Sequence, residues 1–161
     1  MQKERLNSIL RLLICLFGCQ LAGVIGSLAT MPAIPTWYAA LQKPFFTPPN
    51  WLFAPAWTTL YLLMGVAAFL VWRRGWTESR VKMALSIFII QLVLNTLWSF
   101  AFFGLESPLY GLVVIAALLV LIVLTMVSFF RVSAAAGWLL LPYLLWVSFA
   151  TALNTAVLIL N

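Results

Sequence analysis

Gln91, Asn95, Trp98 and Phe102 recur at intervals of four, three and four residues. At about 100° per residue, that spacing puts all four on one face of a helix, within a ~60° arc. Tyr143, Trp146, Ala150 and Leu153 share a second face, with Asn154 at its edge, and Phe53, Trp57, Tyr61 and Met64 make a third. The chemistry open to these side chains is binding: aromatic rings stack, and amides exchange neutral hydrogen bonds. The amides Gln91, Asn95 and Asn154 have two readings: they tie helices together, or they face a ligand. Three inward aromatic faces with a few amide donors describe a pocket for a large flat molecule.

Other chemistries are excluded by what is missing. The chain has no His and no Asp, and its three acids, Glu4, Glu78 and Glu106, fall in expected loops or the N-terminal tail. No intramembrane proton relay, carboxylate pair, nucleophile triad or metal cluster can be assembled, and a histidine-ligated haem is ruled out. The sequence calls for no cofactor and no metal. Cys15 and Cys19 lie four residues apart, on one helix face, and read as small packing residues rather than a disulfide or ligand pair.

The elements that must position these residues cross a membrane. Of 161 residues, 65% are hydrophobic and only 7% charged, where a soluble domain carries roughly 25% charged residues. Five apolar stretches, residues 8–30, 51–72, 83–103, 109–130 and 134–160, are each long enough to supply the ~20 residues a transmembrane helix needs. Backbone polar groups must pair internally in hydrocarbon, so the stretches are helices. The expected fold is an all-α integral membrane protein, residues 1–161 forming one five-helix bundle. The first stretch follows basic residues as a secretory signal does, but its run is longer than a signal core, so it is expected to be retained.

The net charge of +6 does not ask for a nucleic acid. Lys3, Arg5, Arg11, Arg73, Arg74, Arg80, Lys82 and Arg131 all fall on one side of a five-span arrangement, and Lys43 alone on the other. The positive-inside rule then places the N-terminus in the cytoplasm and the C-terminus outside.

Residues 31–50 make the longest connection, with Pro32, Pro35, Pro44, Pro48 and Pro49 barring regular helix over most of it. Trp37, Tyr38, Phe45 and Phe46 make it aromatic, as a lid over the bundle or as an interfacial belt. Thr77 or Ser79 is a candidate cap for the third span, and Ser107 before Pro108 a good start for the fourth. Pro55 and Pro142 are expected to bend the second and fifth spans. Gly18, Ala22 and Gly26 form a ridge of small residues for close packing inside the bundle, or alternatively for a homodimer.

Trp37-Tyr38, Leu41-Gln42-Lys43-Pro44, Pro48-Pro49-Asn50-Trp51, Pro55-Ala56-Trp57 and Leu60-Tyr61 resemble the translocator protein family, also called tryptophan-rich sensory proteins or peripheral benzodiazepine receptors. Gln91-Leu92, Asn95, Trp98 and Phe102-Phe103-Gly104 match its third helix; Pro142-Tyr143-Leu144, Trp146, Phe149-Ala150-Thr151 and Leu153-Asn154 match its fifth. The resemblance implies a pocket closed by the first loop that binds porphyrins, haem or related tetrapyrroles. By matching position the ligand-binding residues would be Tyr38, Asn50, Phe53, Ala54, Trp57, Asn95, Trp98, Trp146, Ala150 and Leu153. Lys43 would either pair with propionates at the mouth or stand as a solvated charge. An alternative implication is light- and oxygen-dependent porphyrin degradation, with Trp57 and Trp146 taking part. Thr155 stands where the family's sterol motif has Tyr, and no basic residue follows, so cholesterol binding by that route is not implied. The missing basic tail fits a prokaryotic cell-membrane member.

Overall fold

The computed structural model describes Gln2–Asn161, with side chains from Glu4 onward, so the Lys3 side chain of the N-terminal basic cluster lies outside the described residues. The chain forms α1 (Gln2–Ala33), α2 (Trp37–Ala40), α3 (Asn50–Trp72), α4 (Ser79–Ser99), α5 (Pro108–Phe130), α6 (Ala134–Leu139) and α7 (Leu141–Leu160). No strand occurs among the described residues. Five helical stretches are long and apolar enough to span a bilayer: Glu4–Ala33, Asn50–Trp72, Ser79–Gly104, Pro108–Phe130 and Ala134–Leu160. The protein is a five-helix membrane bundle. The first and third spans start before the expected Ser8 and Met83. Arg, Lys and Glu are good helix formers, so charge ends the apolar run without ending the helix.

Packing follows the short connections. α1 lies on α3 and α4, α4 on α5, and α5 on α7, whereas α3 and α7 touch only sparsely. The centre is apolar, with Phe88 and Phe129 rings 5.6 Å apart above fully buried Ile115, Leu118 and Ile122. α1 and α3 approach closely at Gly65: a Cβ there would lie 2.9 Å from the Leu16 backbone. The expected ridge on α1 is divided. Gly26 faces Ser99, at 3.0 Å from an added Cβ, but Gly18 faces open space.

Local details correct the sequence reading in three places. Glu78, not Thr77 or Ser79, is the residue before α4, and no side chain caps that end. Pro142 does not bend a continuous span; the helix breaks at Leu140, and Pro142 lies in the first turn of α7, where a missing N–H costs nothing. Pro32 is inside α1, which ends one residue later. Pro55 is within α3 as expected. Ser107 caps α5, its hydroxyl accepting from the Tyr110 amide at 3.3 Å.

Between α4 and α5 the helix widens. Phe100–Gly104 forms a π-helical turn, in which the Leu105 amide reaches back five residues to the Phe100 carbonyl at 2.8 Å. Such turns amount to one extra residue in an α-helix. Here the turn brings Phe102 and Phe103 together, their centroids 4.8 Å apart.

Candidate functional site

Where α3 and α7 diverge, the bundle encloses a cavity of about 410 Å³, within the ~300–1,000 Å³ usual for small-molecule sites. α3 contributes Asn50, Phe53, Ala54 and Trp57; α4 contributes Asn95 and Trp98; α7 contributes Trp146, Ala150 and Leu153; and α2 contributes Tyr38. The ten positions picked out by resemblance thus surround one space. The wall contains no Asp, Glu, Lys, Arg, His or Cys among the described residues.

Aromatic rings make most of the surface. Trp57 stacks on Tyr61 at 5.6 Å and meets Trp146 edge to face, while Phe53 packs on Trp146 at 6.0 Å. Trp98 stacks on Phe102 at 5.5 Å. Among the described residues the indole N–H groups of Trp57 and Trp146 have no hydrogen-bond partner, and neither is sealed away as a buried orphan. They are donors left open to an occupant. The Trp98 N–H is engaged with Asn154 Oδ1 at 3.4 Å.

The amides make hydrogen bonds between helices, and two of them, Asn95 and Asn154, also stand in the cavity wall. Gln91 is fully buried and lies outside the cavity wall. The Tyr61 hydroxyl donates to Asn95 Oδ1 at 2.5 Å, Asn95 Nδ2 donates to the Tyr143 hydroxyl at 3.0 Å, and Tyr143 donates to Gln91 Oε1 at 2.9 Å. One chain of hydrogen bonds therefore joins α3, α4 and α7 along the cavity wall, where Tyr61 and Asn95 stand. Asn154 Nδ2 donates to the Pro108 carbonyl at 2.7 Å, tying α7 to the start of α5.

The connecting loop divides between its two expected roles. Trp37 and Tyr38 pack on Phe102 and Phe103, at 5.4 and 5.6 Å respectively, and close one end of the cavity. Phe45 and Trp51 stay exposed, as interfacial anchors would. The loop is fastened at Gln42, whose amide donates to Asn161 Oδ1 and whose carbonyl accepts from Asn161 Nδ2. Burial raises the Tyr38 phenol above its ordinary value of 10.0. Lys43 lies outside the cavity wall, donating to the Ala39 and Leu41 carbonyls with its ammonium 4.7 Å from the Tyr38 ring centroid.

One wall was missed in the sequence. α1 lines the cavity with Gln20, Gly23, Ser27 and Thr30 among others, a polar and small stripe at helical spacing. Gly23 gives the Tyr61 ring its room, since an added Cβ would fall 2.5 Å from that ring. The cavity is open on the side between α1 and α3, where Val24, Met31, Asn50, Ala54 and Thr58 line it and remain exposed.

The sequence model of the TspO/MBR family matches residues 15–160. This chain belongs to that family. It is 50% identical over 155 residues to the tryptophan-rich protein TspO of Archaeoglobus fulgidus, covering 96% of this chain and 99% of that protein. The tryptophan-rich protein TspO of Chlorobaculum tepidum is 48% identical over 155 residues, with 96% and 98% covered. The translocator protein of Homo sapiens is 42% identical over 123 residues, with 75% and 72% covered. Bacterial and archaeal relatives of this similarity fit a multi-pass protein of a prokaryotic membrane.

Proposed function

We propose that the cavity receives a flat, conjugated, mostly apolar macrocycle of the porphyrin or haem class, and that the protein is a membrane receptor, sensor or carrier for it. The observation that carries this reading is an uncharged aromatic cavity whose free donors include the N–H groups of Trp57 and Trp146. Burying a rigid ring against indole and phenyl faces is favourable by area alone, and rigidity keeps the ordering cost low. Ring propionates would stay outside, since the wall offers no cation. Family membership supports a sensory role, as the name of the relative from Cereibacter sphaeroides, tryptophan-rich sensory protein, states.

A second reading rests on the Trp57–Trp146 pair. With light absorbed by the macrocycle and dioxygen as oxidant, two indoles at the ring would make degradation of a bound porphyrin feasible without acid, base or metal. A titration of the purified protein with protoporphyrin, in the dark and in light with product analysis, tests both. Saturable dark binding without light-dependent conversion supports the receptor. Many conversions per chain support the enzyme, and absence of saturable binding removes both.

A further inference from the structure

A second cavity, about 330 Å³, lies at the other end of α4, lined by Arg80, Met83, Ser128 and Arg131. It lies between the start of α4 and the end of α5. Neither guanidinium has an ion-pair or hydrogen-bond partner among the described residues, and Glu78 next to Arg80 pairs with neither. Ser128 is only 9% exposed. Thr125, one turn earlier, bonds back to the Leu121 carbonyl at 2.7 Å, the usual resting place of a hydroxyl in a membrane helix. Ser128 makes no such bond, and its hydroxyl is not sealed off; it opens into the cavity.

Two unpaired guanidiniums and one buried, unused hydroxyl around a small cavity are a donor set without an acceptor. The matching acceptor is a tetrahedral oxyanion: guanidinium forks fit phosphate oxygens in pairs, and a hydroxyl donates to a third. The same two helices expose Met83 at the cavity itself and Ile90 and Leu124 further along their apolar spans. We propose that this is a phosphate site, occupied by the headgroup of an anionic phospholipid whose chains lie along α4 and α5. The inference is independent of what the aromatic cavity binds.

Native mass spectrometry of the purified protein exchanged with phosphatidylglycerol or phosphatidylcholine of equal chain length provides the test. One retained phosphatidylglycerol per chain is expected, with little phosphatidylcholine. The R80Q/R131Q variant should lose retention by about tenfold or more, as befits charge-assisted hydrogen bonds, and S128A by a smaller factor. Both arginines are exposed, so the bundle should fold without them, which unchanged helical circular dichroism checks. R73Q/R74Q removes the same charge outside the site and should retain lipid normally. Equal retention by R80Q/R131Q and the unaltered protein, or an equal loss in R73Q/R74Q, overturns the site. Displacement by millimolar inorganic phosphate overturns the lipid as occupant and assigns the site to soluble phosphate.

Discussion

The indole rings of Trp57 and Trp146 meet edge to face, centroids 6.5 Å apart and planes at 85°, at the point where α3 and α7 part. Each ring supports the other's orientation, and each keeps its N–H free. Replacing either with Phe retains part of the ring area and removes the donor. Porphyrin affinity should fall several-fold per substitution, since an aromatic pair contributes about 1 kcal/mol beyond area. Any indole-dependent photoconversion should fall much further. Affinity and product yield measured on the same folded variants separate the two; full conversion by the double variant would leave the tryptophans without a chemical role.

Asn95 uses both ends of its amide inside the protein. Asn95→Leu leaves the Tyr61 and Tyr143 hydroxyls each one partner short. The loss expected is about 1–3 kcal/mol, reduced where hydroxyls find new partners in the membrane. Denaturant unfolding in detergent should show the drop, and weaker ligand binding should follow in proportion to it. Unchanged stability with lost binding would make Asn95 a ligand contact instead.

Gly65 and Gly18 should behave oppositely. Gly65→Ala drives a methyl against the Leu16 backbone, which cannot rotate away, and should cost about 1–3 kcal/mol by forcing α1 off α3. Gly18→Ala meets nothing and should leave stability unchanged or slightly raised. Melting temperatures of the two variants in one detergent decide it.

Ligand binding should be flat in pH from the protein's side between about 6 and 9. No wall residue titrates in that range, because tyrosine's ordinary value is near 10 and burial moves Tyr38 higher still. A group whose value is raised keeps its neutral form further into base, so Tyr38 stays a phenol throughout. A protein-dependent step in affinity, measured with a ligand free of ionisable groups, would contradict this.

The eight-to-one division of Lys and Arg predicts a cytoplasmic N-terminus and an outside C-terminus. Reporter fusions at each end check it, and two reporters active on the same side would break the topology.

The spans were legible because hydrocarbon imposes length and composition on a helix, and stripes such as Gln91–Asn95–Trp98 were legible because 3.6-residue periodicity fixes a face. The break at Leu140 was not, since Pro142 is compatible with a kink as well as with a fresh helix start. The α1 wall escaped notice because Gln20, Gly23, Ser27 and Thr30 carry no aromatic signal, and their importance comes from what lies opposite. The partnerless Ser128 was equally silent: only three-dimensional neighbours distinguish a serine bonded to its own helix from one that is not.

The wide turn at Phe100–Gly104 carries a last consequence. It is one residue more than the helix needs, so every position after it is rotated by about 100° from where an uninterrupted α-helix would put it. Deleting a single residue there would restore the ordinary ladder and should make the helix locally more regular. It would also shift the angular register of the turn into Pro108, withdrawing the Pro108 carbonyl from Asn154. At this point a better helix makes a poorer container.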